Sequence, residues 1–228
     1  TGMATSPATQ PATATRATAT PSPTFATHAC QPDVQVLDGH FLLGRPIGPE
    51  HNQQVDTSYR YGHTLNGARD PHTGVEFLNP GGTPVLAAEA GEVVFAGPDD
   101  GGELAPWPFY YGGAVVIAHQ LAGIAEPVYT LYAHLSDIHV EAGQRVARGE
   151  MIGAVGATGV ALGNHLHFEV RVGANAFEAT QNPELWLEPL PDPASGEAFG
   201  AVAGFVLDAF GTAGEVENLV ITRVSDSQ

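Results

Sequence analysis

The chain has 228 residues and carries 8 basic side chains against 25 acidic ones, a formal net charge of −17. All 8 cations are arginine, so Schiff-base lysine chemistry, a phosphate-loop lysine and a lysine-borne biotinyl or lipoyl group are excluded. The charge argues against a nucleic-acid partner or an anionic membrane surface, and no uninterrupted apolar run approaches the ~20 residues of a membrane span.

Cys30 is the single cysteine, which rules out an internal disulfide and a multi-thiolate zinc site. Glycine at 28 and proline at 18 point to short strands and turns rather than helices. Residues 1–27 consist almost wholly of Thr, Ala, Pro and Ser and cannot bury enough apolar area to offset their conformational entropy. They are predicted to form a disordered stalk of the kind common outside cells. Residues 28–60, including HFLLGRPIGPEH, are expected to pack as an extra strand on the domain that follows rather than to cover a groove.

From Asp56 to about Leu190 short apolar runs alternate with glycine. Thr83–Ala88, Glu92–Ala96, Ala114–His119, Val128–Ala133, Met151–Val155 and His165–Val172 are rich in Val, Ile, Tyr and Phe and are predicted as strands. Gly81-Gly82, Gly91, Gly112-Gly113, Gly143, Gly149 and Gly156 fall between them as turns. Helical periodicity is weak throughout, so the predicted fold is all-β, with antiparallel sheets packed on one another. Residues 191–228 hold two alternating strand patterns, read as a docked hairpin appendage or the start of a truncated module.

The chemistry begins in GNHLHFEVRV. Strand alternation puts His165, His167, Glu169 and Arg171 on one face and Leu166, Phe168, Val170 and Val172 on the core face. Two imidazoles ~7 Å apart at their backbones serve either as two metal ligands or as one ligand and one general base. Glu169 and Arg171 are expected to form a cross-strand ion pair. His72 and Glu76 lie in RDPHTGVEFLNP, where Pro71, Gly74 and Val75 argue against helix. A straight strand would hold these two ~13 Å apart, so the segment must bend, with Gly74 as the residue that permits it. With His167 they would supply N, N and O donors, a set that suits a catalytic zinc with one position left to water. His134 ends a strand in YTLYAHL and taken alone reads as structural. His119, His28, His40, His51, His63 and His139 are read as structural or exposed.

GTPVLAAEAGEVVFAG, YTLYAHL and VEAGQRVARGEMIGAVGATGVALGNHLHFEV, in that order, resemble the zinc endopeptidases of the lysostaphin type, also called LytM-like, over roughly Asp56 to Pro189. The resemblance implies an antiparallel β fold with a groove, related in pattern to biotinyl and lipoyl barrels, and one zinc ion. It implies cleavage of stem or cross-bridge peptides of bacterial peptidoglycan, in the cell envelope or outside the cell. Carried over by position, His72 and His167 match two zinc ligands, and His134 and His165 match the two non-ligand histidines around the attacking water. Glu76 stands where the family usually has aspartate. The extra methylene shifts a carboxylate by ~1 Å, whereas ligand distances tolerate ~0.2 Å, so the bend after Gly74 must compensate, with Asp70 as a fallback.

The resemblance also leaves a rival open, a non-catalytic relative that binds and activates a separate wall hydrolase. A carrier domain is excluded for want of an acceptor lysine. The loop GPDDGGELAPWPFYYGG, with Trp107, Phe109, Tyr110 and Tyr111, suits a groove wall or a cap on the core edge, and the glycine-rich TGVALGN segment suits close approach of a peptide. Residues 191–228 resemble the first strands of small immunoglobulin-like modules.

Overall fold

A computed structural model describes residues 41–191 and Gly196. The readings of residues 1–27 as a stalk and of the stretch beyond Pro191 as a hairpin or truncated module lie outside the described residues. Ten strands follow in order: β1 (Val75–Leu78), β2 (Pro84–Leu86), β3 (Gly91–Pro98), β4 (Gly113–His119), β5 (Val128–Leu135), β6 (Asp137–Ile138), β7 (Arg145–Val146), β8 (Met151–Ala154), β9 (His165–Val172) and β10 (Thr180–Gln181). Two 3-10 turns, Phe177–Ala179 and Pro183–Leu185, are the helical pieces among the described residues. The fold is all-β, as the alternation and glycine spacing predict, and every pairing between these strands is antiparallel.

The larger sheet runs β1-β9-β5-β4-β3-β7, with β10 also on β9, and the smaller runs β2-β8-β6. β10 pairs Arg171 and Val170, and β1 pairs His165 to Phe168, so these two short strands share one edge of β9 while β5 takes the other. The core holds Phe77, Val85, Val93, Ile117, Tyr132, Leu135, Ile152, Leu166 and Phe168, all buried. The segment before β1 joins this core: Leu43 bridges Leu187, Ile47 bridges Val85, and both side chains are fully buried. The described part of residues 28–60 thus packs on the core, but through isolated bridges rather than as an added strand.

The opposite face of the large sheet is covered as well. Leu104, Ala105 and Tyr111 from the loop between β3 and β4 pack on Ala114, Val116, Leu131 and Ala133. β9 is therefore buried on both faces, a burial usual for a central strand covered on both sides. The loop supplies that cover, and it carries no periodic signal.

His119 ends β4 inside a closed chain of hydrogen bonds. Its ring nitrogens lie 2.9 Å from the Ala90 carbonyl and 2.7 Å from Thr130 Oγ1, and Tyr132 Oη lies 3.0 Å from Thr130 Oγ1 and accepts from Ala88 N–H at 2.8 Å. Burial pushes the imidazole below its ordinary value, against smaller opposing effects from the Ala90 carbonyl and Glu89. A neutral buried imidazole contributes stability that is present above the unfolded value of about 6.5 and is lost as the pH falls through the folded value. Urea unfolding at pH 7.5 and 5.5 should show the wild type losing up to about 1.4 kcal/mol more than His119→Gln across that interval; equal losses would contradict this account of His119.

Candidate metal centre and active site

Glu76 lies directly opposite His167 in the β1–β9 pair. Such partners hold their Cβ atoms about 4.5–5.5 Å apart on one face, close enough for a carboxylate and an imidazole to meet. They do meet: Glu76 Oε1 is 3.1 Å from His167 Nδ1 and 2.9 Å from His72 Nε2, and the two nitrogens are 3.3 Å apart. All three residues are buried, and theirs is the one His/Cys/Asp/Glu group among the described residues arranged to hold a metal ion. Asp70, the fallback, is exposed and lies outside this group.

His72 precedes β1 and is fixed from three sides. Its amide donates to the His63 carbonyl at 3.1 Å, Nδ1 lies 3.3 Å from the Arg60 carbonyl, and the Tyr59 ring stacks on its own at 4.0 Å and 17°. Gly74 does not act through a left-handed backbone, since its φ is not positive. A Cβ there would sit 2.5 Å from the Phe168 carbonyl oxygen and 2.8 Å from the His167 ring. The glycine thus permits close approach of β9, which corrects the expectation that its conformational freedom makes the bend.

His134 reaches the site through a β-bulge. Between Gly113↔Leu135 and Val115↔Tyr132 the chain takes three steps on β5 against two on β4, and His134 has φ 62°. Regular alternation would send His134 to the core side with Tyr132; the extra residue turns it instead toward His165 and His167, with ring centroids 4.8 and 5.7 Å away. A β5 residue held at positive φ is strained, and such strain collects at working sites. His134 Nδ1 donates to the Thr158 carbonyl at 2.8 Å, which leaves Nε2 as the acceptor. His165 Nδ1 faces the Gly163 carbonyl at 2.9 Å, and its Nε2 lies 3.2 Å from Glu76 Oε2. The five histidine and carboxylate positions of the sequence reading, His72, Glu76, His134, His165 and His167, therefore sit together.

Glu169 and Arg171 form an ion pair, but not across strands. They are two residues apart on one face of β9, with Arg171 Nη2 2.8 Å from Glu169 Oε2 and neither side chain exposed. Glu169 Oε1 also lies 3.1 Å from His167 Nε2, so His167 has a carboxylate at each ring nitrogen. Burial opposes the charged imidazole, but Glu76 and then Glu169 outweigh it and hold His167 up at about 10. Burial likewise opposes the Glu76 and Glu169 charges; His167, aided by Arg171 on Glu169, pulls both below the usual carboxylate range, Glu169 to about 2. His134 is driven down to about 3, first by burial and then by the charges at His167 and His165.

These side chains open on a cavity of about 880 Å³. Trp107 and Tyr110 form an aromatic wall with Phe177, Tyr59 and Leu65 line it from the segment before β1, and Val160 and Leu162 line it from the segment before β9. Of the four loop aromatics, Trp107 and Tyr110 line this groove, Phe109 is exposed outside it, and Tyr111 is buried against the sheet.

Residues 70–179 match the sequence profile of Peptidase family M23. This segment is an M23 peptidase domain. The chain is 41% identical over 118 residues to "DD-carboxypeptidase/endopeptidase Mpg" of Neisseria meningitidis serogroup B, across 50% of this chain and 24% of that protein. It is 30% identical over 189 residues to lysostaphin of Staphylococcus simulans, across 78% of this chain and 35% of that protein. The chain thus spans about a quarter to a third of the length of these relatives. Among solved structures, the solution structure of lysostaphin aligns with a TM-score of 0.50 at 25% identity, covering 76% of this chain and 65% of that one. The M23 match begins at Asp70, after Tyr59 and Arg60, so two groups that hold His72 come from outside the matched segment. Sequence reasoning missed both, because neither sits in a pattern that distinguishes it from other loop residues.

The M23 domain stripped of divalent cations should hold His167 as an imidazolium at pH 8 and His134 as a neutral ring protonated on Nδ1. Nitrogen-15 chemical shifts of the two rings check this; a neutral His167 at pH 8 would contradict the two-carboxylate account.

Proposed function

We propose that this chain is a zinc-dependent endopeptidase that cleaves peptide bonds in the stem or cross-bridge peptides of bacterial peptidoglycan, acting in the cell envelope or outside the cell. The observation that carries the reading is the convergence of His72 Nε2, Glu76 Oε1 and His167 Nδ1 within 2.9–3.3 Å of one another. Ligands about 2.0–2.1 Å from a tetrahedral zinc are separated by about 3.3 Å, so two imidazoles and a carboxylate so spaced fit such an ion with one position left over. Among the described residues no helix is long and apolar enough to cross a membrane. A relative of Vibrio cholerae, "Peptidoglycan DD-endopeptidase ShyB", 39% identical over 118 residues across 51% of this chain and 24% of that protein, supports the substrate class.

When bound, zinc supplies Lewis acidity and lowers the pKa of its water to roughly 7. The chain's own residues do the rest. His72, Glu76 and His167 hold the ion, with His72 seated on Tyr59. His134, its proton fixed on Nδ1 by the Thr158 carbonyl, offers Nε2 as a proton acceptor. His165 stands beside the Glu76 carboxylate, where its protonated form would stabilise negative charge developing on a scissile carbonyl. The aromatic wall of Trp107 and Tyr110 excludes water along one side of the peptide.

Elemental analysis combined with digestion of purified cell wall tests the proposal. The wild type should hold one zinc and release peptide termini, as a single three-donor site with an open position requires; zinc without hydrolysis would select the regulator reading, and no metal would overturn the endopeptidase reading. His134→Ala and His165→Ala should keep the zinc and lose about 10²–10⁴ in kcat, whereas His72→Ala and His167→Ala should lose the metal. Trp107→Ala should raise KM with little change in kcat, and an unchanged KM would remove the aromatic wall from substrate binding.

A further inference from the structure

The buried ion pair on β9 does not line the groove, so it is not placed to touch a substrate. As a stabilising device it is a poor choice, because a well-packed apolar pair generally serves at least as well as a buried ion pair. Its hydrogen bonds give it another role. Glu169 Oε1 accepts from Thr73 Oγ1 at 2.6 Å and from Tyr111 Oη at 2.6 Å, and lies 3.1 Å from His167 Nε2. Oε2 accepts from Arg171 Nε at 2.9 Å and lies 2.8 Å from Nη2. Arg171 also donates to Asn175 Oδ1, the Leu104 carbonyl and Tyr111 Oη, each at 3.0 Å.

One carboxylate oxygen thus receives a group from each of three elements that build the site. Thr73 is the residue after His72, Tyr111 follows the groove residue Tyr110, and His167 is on β9 itself. We propose that Glu169 is a positioning residue for the metal centre: it holds the proton of His167 on Nε2 so that Nδ1 faces His72 and Glu76, and through Thr73 it fixes the backbone that carries His72. Arg171 anchors the carboxylate from behind, and Tyr111 ties the groove loop to the same oxygen. The inference rests on the reading of His72, Glu76 and His167 as metal ligands. Partners of this kind behind a ligating histidine set ring orientation and typically change metal affinity by about 10–100-fold.

Zinc affinity by chelator competition, the visible spectrum of the cobalt(II)-loaded full chain and the thermal midpoint of the metal-stripped chain together test it. Glu169→Gln should weaken zinc binding about 10–100-fold and alter the cobalt spectrum. Because that variant leaves Arg171 without its counter-charge and can fail to fold, Tyr111→Phe and Thr73→Val, which delete one hydroxyl each and keep both charges, carry the test independently. Each should weaken zinc several-fold with the metal-stripped midpoint little changed. Hydroxyl variants that bind zinc as tightly as a zinc-binding wild type would overturn the inference alone, as would a lowered midpoint with unchanged affinity. A wild type that binds no zinc would overturn the metal-centre reading and this inference with it.

Discussion

Glu76 faces His167 across β1 and β9, and the rest of the site depends on that register. A slip by one residue would turn Glu76 to the core face and bring Val75 or Phe77 opposite the imidazole. Phe77 and Val75 resist such a slip because both are fully buried, as are their partners Leu166 and Phe168. The apolar face of a four-residue strand thereby sets the geometry of the polar face. Gly74 continues the same constraint by letting the chain before β1 lie against the Phe168 carbonyl and the His167 ring, where any side chain would collide.

Electrostatics and backbone strain complete the arrangement. Without a cation, three imidazoles crowd around Glu76, and the charges distribute unevenly: His167 between two carboxylates retains a proton, while buried His134 sheds its own. His134 is held by a bulge at positive φ, a conformation costing on the order of 1–3 kcal/mol that its hydrogen bonds to the Tyr111 and Thr158 carbonyls sustain. The domain thus accepts local strain and buried charge in one region while both faces of the large sheet remain packed with apolar side chains.

The long strands were legible in the sequence because runs such as VVIAH and VYTLYAHL combine β-branched and aromatic residues between glycines. β1 carries no strand signal of its own, being four residues long and dominated by the spacing of His72 and Glu76, and two-residue β6, β7 and β10 are too short to carry alternation. The five histidine and carboxylate positions were legible through motif order and resemblance, but the means of bringing them together was not. The bulge under His134 depends on the pairing of two distant strands, and the stack of Tyr59 on His72 joins residues with no shared pattern. Glu169 and Arg171 were seen to share a face with His167, yet the burial of that face depends on Leu104 and Tyr111, which arrive from a loop.

Diffraction from crystals of the zinc-loaded protein, with anomalous data on both sides of the zinc edge, tests the central claim most directly. The account predicts one zinc peak about 2.0–2.2 Å from His72 Nε2, Glu76 Oε1 and His167 Nδ1, with the remaining position turned toward His134 and His165. A peak bound through Asp70 with the Glu76 carboxylate turned aside, or a fourth side chain closing that position, would contradict it.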